Sequence, residues 1–194
     1  GKKISVDSAT LMNKVLELYE AFKLFPFDKK KYEVIIHPQS LIHAIVKFKN
    51  GITHFLYHIP DMKIPIANAL YDGKFNYSKY FNNKSKKNFS DSSLEFLPVD
   101  QKKFTTFKLI PEMDRYESSS IVINAANEIF VDEFLKNNIK FNDIFKYFKL
   151  VLKDKSYIKT SNMPSNSIKN IYKIDNYSRD LAYKIIKQNK LINA

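Results

Sequence analysis

Ser8-Ala9-Thr10-Leu11-Met12-Asn13-Lys14-Val15-Leu16-Glu17 is the stretch on which the reading of this 194-residue chain turns. At about 100° per helical residue, Asn13, Lys14 and Glu17 fall within a wedge of about 100°. Leu11, Val15, Leu18, Tyr19 and Phe22 take the opposing side. Asp7, Ser8 and Thr10 offer capping oxygens just ahead, and Pro26 disfavours helix in the residue before it. A helix is therefore predicted from Thr10 to Phe25. An amide, an ammonium and a carboxylate project together from the first turns of a helix that is otherwise core.

Two readings of that wedge are open. Backbone N–H groups at a helix start favour anions, and Ser8, Asn13 and Lys14 add donors and positive charge suited to a phosphate. Glu17, one turn deeper, offers carboxylate oxygens to a hard divalent cation. Alternatively, this is a solvent face with an ordinary Lys14–Glu17 ion pair, worth about 0.3 kcal/mol. Spacing does not choose between them.

Outward from this segment, Lys3 to Val6 reads as a short strand and Tyr32 to Ile36 as an apolar one. Ala44 to Lys49 and Ile52 to His58 flank Asn50-Gly51, a hairpin signal because both turn residues accept positive φ. Pro60-Asp61-Met62 reads as a loop, and Pro65 suits the first turn of a helix ending near Tyr71. Asp72 to Ser93 is rich in Asn, Lys, Ser and Asp, most polar at Lys84-Ser85-Lys86-Lys87-Asn88, and reads as a linker or surface loop. Phe104 to Ile110 is expected as a strand ending at Pro111. Helices are expected over Ser118 to Leu135, Asp143 to Leu152, and from Asp175 or Asn176 to about Gln188. A mixed domain in front and a helical one behind make an α+β chain.

The four histidines give weaker signals. His37 and His43 flank Pro38-Gln39-Ser40-Leu41-Ile42; each is either a proton shuttle or metal ligand, or a hydrogen-bonded structural imidazole. His54 and His58 share one strand face about 13 Å apart, too far to share a metal ion.

Composition narrows the function classes. The net charge of +12 comes almost wholly from lysine, with Arg115 and Arg179 the only arginines. Base readout favours arginine, and the lysines are spread along the chain, so a solvated surface is expected and no nucleic-acid partner. No apolar run approaches the roughly 20 residues that span a bilayer, so no membrane association is expected. There is no cysteine, which excludes disulfides and thiolate–metal sites. Only Gly1, Gly51 and Gly73 occur, too few for a dinucleotide fingerprint or a phosphate-cradling loop. The start lacks an initiating Met and reads as that of a fragment.

Lys3-Ile4-Ser5-Val6-Asp7-Ser8-Ala9-Thr10-Leu11-Met12-Asn13-Lys14-Val15-Leu16-Glu17 resembles the catalytic-domain signature of the 1-deoxy-D-xylulose 5-phosphate reductoisomerase family. Ile36-His37-Pro38-Gln39-Ser40-Leu41-Ile42-His43, then Pro60-Asp61-Met62 with Pro65-Ile66-Ala67, and Asn124-Ala125-Ala126-Asn127-Glu128 follow in the family's order. The resemblance covers essentially the whole chain. It implies a mixed α/β catalytic and dimerisation domain with a sheet over residues 1–71, a linker over 72–110, and a C-terminal helical bundle over 111–194. The family's N-terminal dinucleotide-binding domain is absent from this chain.

By the same resemblance, the reaction rearranges 1-deoxy-D-xylulose 5-phosphate and reduces the product with NADPH to 2-C-methyl-D-erythritol 4-phosphate, in non-mevalonate isoprenoid biosynthesis. Ser8, Asn13 and Lys14 are implied to hold the substrate phosphate. Glu17 is implied to bind Mg²⁺ or Mn²⁺ and to lie against the substrate, and His43 to line the catalytic site. Gly1, Pro60 and Met62 match positions near NADPH. The implied partners are a sugar phosphate, the N-terminal half of the same enzyme and a second copy in a homodimer; the piece alone is expected to be inactive. A plastid-type organelle (the apicoplast) is implied if the source is a eukaryotic parasite, and the cytoplasm otherwise. The family usually has Gly where this chain has Val15, which faces away from the polar wedge.

Overall fold

The computed structural model describes residues 1–80 and 93–192. In chain order its helices and strands are α1 (Lys2–Thr10), α2 (Met12–Leu24), β1 (Ile35–Ile36), β2 (Ile42–Lys47), β3 (Thr53–Tyr57), α3 (Lys63–Leu70), α4 (Tyr77–Tyr80), β4 (Leu97–Pro98), α5 (Ile110–Met113), α6 (Ser119–Leu135), α7 (Asp143–Lys153), α8 (Lys155–Ser161) and α9 (Ile168–Ile192). Short 3₁₀ turns occupy Lys29–Lys31 and Thr105–Leu109. The described residues are helix-rich, with two separate two-stranded antiparallel sheets, β1–β4 and β2–β3.

These elements make two compact units, Gly1–Val34 with Asp100–Ala194, and Ile35–Val99. The grouping differs from the segments 1–71, 72–110 and 111–194 expected from sequence, because α1 and α2 join the rear helices. The polar stretch Lys84 to Asn88, expected as linker, lies outside the described residues.

The larger unit is built round α6. Val122, Ile123, Ala126, Ile129 and Phe130 of α6 are buried with Ile144, Phe148 and Val151 of α7 and with Ile174, Leu181, Ala182 and Ile185 of α9. Phe130 meets Phe148 edge-on at 5.1 Å between ring centroids. Val6 from α1 and Met12 and Val15 from α2 belong to this same cluster. Each such side chain removed from water contributes roughly 1.5–3 kcal/mol. The segment carrying the polar wedge is thus anchored on the bundle core.

Three expected elements differ. Lys3 to Val6 forms helix, not strand: adjacent Val6 and Asp7 are both buried, whereas neighbours in a strand face opposite ways. Phe104 to Ile110 forms a 3₁₀ turn running into α5, with Thr106 and Leu109 buried three residues apart and Pro111 in the first turn of α5, where it loses no hydrogen bond. α9 starts at Ile168, well before Asp175. Ser167 Oγ accepts from Asn170 N at 3.2 Å and supplies the start signal, while Asp175 lies inside the helix and pairs with Arg179 at 2.6 Å.

Helices α1 and α2 are not continuous. Leu11 between them adopts φ 58°, ψ 15°, a left-handed conformation costing a non-glycine residue about 1 kcal/mol or more. Its N–H donates to Ser8 O at 3.1 Å. Thr10 Oγ1 donates to Val6 O at 3.1 Å and accepts from Met12 N at 3.3 Å. From the 3₁₀ turn, the hydroxyl of buried Thr106 donates to Thr10 O at 2.5 Å. The bend is held from both sides.

In the smaller unit β2 and β3 form the expected hairpin, with Lys47 opposite Thr53 and Ile45 opposite Phe55. Gly51 takes φ +88°. Asn50 contributes its side chain instead, its Oδ1 accepting from Ile52 N at 3.0 Å. α3 opens at Lys63 with Pro65 in its first turn, as expected. The expected strand from Tyr32 is paired only at Ile35 and Ile36.

Candidate functional site

The bend at Leu11 presents two sets of donors. Ser8 lies exposed near the end of α1, and Asn13 and Lys14 lie half-exposed in the first turn of α2. The first amides of a helix have no intrahelical acceptor. Thr10 Oγ1 takes the Met12 amide at 3.3 Å, while Asn13 and Lys14 occupy the next two positions. Such a terminus carries a partial positive charge suited to an anion.

Lys14 and Glu17 are paired. Lys14 Nζ donates to Glu17 Oε2 at 2.6 Å, with side chains 44% and 47% exposed. The ordinary ion pair of the wedge is therefore formed, and it leaves both charged groups at the surface within reach of a ligand. The buried side of α2 is Met12 and Val15, both fully buried, with Leu16 and Tyr19 packed beside them. Val15 thus points into the core, away from Asn13, Lys14 and Glu17.

A hard cation suits the Glu17 carboxylate chemically, but one carboxylate is far short of a full coordination shell. Among the described residues no cluster of three or more His, Cys, Asp or Glu could hold a metal ion. Glu17 fits as a single ligand, not as a complete site.

Sequence reading passed over one residue here. Asp7, taken as a capping residue, is 4% exposed. Its Oδ1 accepts from Asn127 Nδ2 at 2.8 Å and its Oδ2 from Lys3 Nζ at 3.2 Å. Lys3 also lies 3.8 Å from Glu128 Oε1, and Glu128 Oε2 accepts from Arg179 Nη2 at 2.6 Å. Hydrogen bonds from Arg179 to Asp175 and Glu128 raise the guanidinium pKa further above its ordinary value. The only sequence signal was Asn127 and Glu128 within Asn124-Ala125-Ala126-Asn127-Glu128; their partner lies in a distant part of the chain.

Gly1 is exposed at the start of α1. The remaining candidates, His43, Pro60 and Met62, belong to the smaller unit. His43 sits where the β2–β3 register shifts, a bulge of the kind that re-aims a side chain. Its Nε2 lies 3.0 Å from His58 O; a carbonyl only accepts, so Nε2 carries the proton. The His43 and His58 rings stack at 3.7 Å. His37 Nδ1 is bonded to Glu95 O at 2.8 Å and its ring stacks on Phe96. His54 instead meets Phe48 edge-on at 4.9 Å. Pro60 is exposed, and Met62, 69% exposed, precedes α3.

Comparison with known proteins gives a consistent result. The model of the DXP reductoisomerase C-terminal domain matches residues 58–181, and that of the 1-deoxy-D-xylulose 5-phosphate reductoisomerase C-terminal domain matches residues 1–25. The 1-deoxy-D-xylulose 5-phosphate reductoisomerase of Wolbachia sp. subsp. Brugia malayi is 42% identical over 195 residues, covering 99% of this chain and 48% of the relative. That of Pelagibacter ubique is 37% identical, covering 91% and 45%. Among solved structures, the enzyme from Zymomonas mobilis in complex with NADPH superposes with a TM-score of 0.79 at 33% identity, over 95% of this chain and 47% of that one. A DOX-P reductoisomerase in complex with NADPH, fosmidomycin and magnesium gives 0.83 at 34% identity, over 98% and 47%.

The chain spans about half the length of the curated relatives it matches. Those relatives are bacterial, which gives the plastid expectation no support. Among the described residues no helix is long and apolar enough to cross a membrane. With one family model covering residues 58–181 and close relatives along nearly the whole length, this chain belongs to the DXP reductoisomerase family.

Proposed function

We propose that this chain supplies the phosphate subsite and one cation-binding carboxylate of an enzyme that rearranges 1-deoxy-D-xylulose 5-phosphate and reduces the product with NADPH to 2-C-methyl-D-erythritol 4-phosphate. Family membership and the ligands named for the solved relatives, NADPH, fosmidomycin and magnesium, support the reading. The observation that carries it is the exposed Lys14–Glu17 pair beside the open amides of α2.

In this reading Ser8 Oγ, the Asn13 side-chain amide and the Lys14 ammonium donate to the substrate phosphate, and the first amides of α2 add their partial charge. Engaging Lys14 takes its counter-charge from Glu17, and a divalent cation restores it. Phosphate and cation each satisfy the group that the other releases, so they bind better together than apart. Glu17 gives one of the roughly six oxygen ligands that Mg²⁺ or Mn²⁺ takes; substrate, water and the N-terminal half of the same enzyme give the rest. When bound, the cation would polarise the substrate carbonyl for the rearrangement, and NADPH would supply hydride to the aldehyde carbonyl of the rearranged product. His43 lines the substrate, held in one tautomer by the His58 carbonyl, and Gly1, Pro60 and Met62 face the nicotinamide nucleotide. The complete enzyme is a homodimer.

The test combines this chain with the N-terminal half, deoxyxylulose phosphate, NADPH and Mg²⁺, and follows loss of nicotinamide absorbance. Turnover that depends on both halves and on Glu17 is expected. Correct assembly without NADPH oxidation would overturn the proposal and leave a non-catalytic remnant of the enzyme.

A further inference from the structure

We propose that Asp7 and Asn127 are positioning residues, whose buried hydrogen bond fixes the rotation of α1 and thereby aims Ser8 at the substrate phosphate. The inference rests on the phosphate-subsite reading above.

α1 buries only two residues, Val6 and Asp7. An apolar contact such as Val6 sets how deep the helix lies but resists rotation weakly, because dispersion is not directional. The 2.8 Å bond from Asn127 Nδ2 to Asp7 Oδ1 is directional. Burying a carboxylate is costly, and an apolar pair of similar volume is often as stable or more so. Stability alone therefore does not account for the pair; orientation does.

Ser8 is the next residue, about 100° further round the helix. At a side-chain radius of about 5 Å, a rotation of about 20° moves an oxygen by about 2 Å. Hydrogen-bond lengths tolerate only about 0.5 Å. A loosely rotating α1 would therefore cost Ser8 its contact while the helix stayed folded.

The partner is itself fixed. Asn127 is fully buried in the middle of α6, and its Oδ1 has no hydrogen-bond partner. A carboxylate only accepts, so Asp7 dictates which end of the amide faces it. Lys3 closes the other side of Asp7 at 3.2 Å and leads through Glu128 to Arg179 on α9. Asp7 is thus bonded from α1 itself and from α6, and α6 is tied to α9 at the next residue, Glu128.

The test uses the enzyme carrying this chain, with KM for deoxyxylulose phosphate, KM for NADPH and kcat measured separately and thermal unfolding as a fold control. Asp7→Ala and Asn127→Ala are each expected to raise the sugar-phosphate KM roughly tenfold with NADPH KM held within about twofold. Asp7→Asn keeps an oxygen acceptor for Asn127 and is expected to stay within about threefold of the parent. If Asn127→Ala leaves Asp7 too poorly compensated to fold, the double variant Asp7→Ala/Asn127→Ala removes both partners and carries the same expectation. Folded alanine variants with an unchanged sugar-phosphate KM overturn the proposal, as does an Asp7→Asn as impaired as Asp7→Ala. Lys14→Ala is the reference. If it too leaves that KM unchanged, the phosphate subsite is wrong and the positioning role falls with it. If it raises KM while the Asp7 and Asn127 variants do not, only the positioning role is lost.

Discussion

Lys14 Nζ stands 2.6 Å from Glu17 Oε2, three residues apart on α2, with both side chains nearly half exposed. An exposed pair at this spacing stabilises a helix by at most about 0.5 kcal/mol. Glu17→Gln is therefore expected to leave the unfolding midpoint almost unchanged. Turnover, in contrast, should fall by roughly a hundredfold or more, with part of the loss recovered at high Mg²⁺, because a neutral amide is a weaker ligand. Steady-state kinetics across a magnesium titration check this. Near-normal turnover would remove Glu17 from the cation site.

Thr106→Val addresses the bend from the opposite side. The substitution keeps the shape of a buried side chain and deletes the hydroxyl that donates to Thr10 O at 2.5 Å. A carbonyl left without that donor costs about 1–3 kcal/mol. Urea unfolding should show a loss in this range.

Val15→Gly separates packing from binding. Val15 is fully buried on the core side of α2. Glycine removes its methyl groups and adds a mid-helix backbone penalty, together about 2–4 kcal/mol. The sugar-phosphate KM should stay within about twofold, because the side chain faces away from the polar wedge. A large rise in KM without loss of stability would contradict that orientation.

Asp114 sets an acid limit on stability. Burial raises its carboxyl pKa, but hydrogen bonds from Lys29 and Lys23 outweigh this and hold it below the ordinary carboxylate value. The folded state thus binds its proton less readily than the unfolded chain. The resulting stability is present above the unfolded pKa and is lost as pH falls through the folded value, below about pH 4. Unfolding measured from neutral pH downward should show a shallower acid limb in Asp114→Asn, along with lower stability at neutral pH.

Periodicity and turn chemistry made much of both units legible. The apolar face of α6, the α7 helix and the Asn50-Gly51 hairpin follow from spacing alone, as does the wedge of Asn13, Lys14 and Glu17. What was misread depends on side-chain partners that periodicity does not reveal, several of them distant in sequence. Lys3-Ile4-Ser5-Val6 alternates like a strand, yet packing of Val6 and Asp7 on the bundle makes it helical. Asp175 resembles a cap until Arg179, one turn later, takes its carboxylate. Asp7 resembles a cap for the same reason: its partner on α6 is 120 residues away. Leu11 carries no glycine or asparagine signal for its left-handed backbone, because the conformation is imposed by bonds at Thr10 and Ser8.

The larger unit draws on both ends of the sequence, and this has a consequence during synthesis. α1 cannot seat Val6 and Asp7 until α6 has been made, whereas α2 meets the Thr105–Leu109 turn and α5 earlier. At about 5–20 residues per second, the 120 residues between Asp7 and Asn127 take roughly 6–24 s to emerge. Throughout that interval α1 lacks its partner on the nascent chain, so slower translation lengthens the time for which Val6 is open to chaperones.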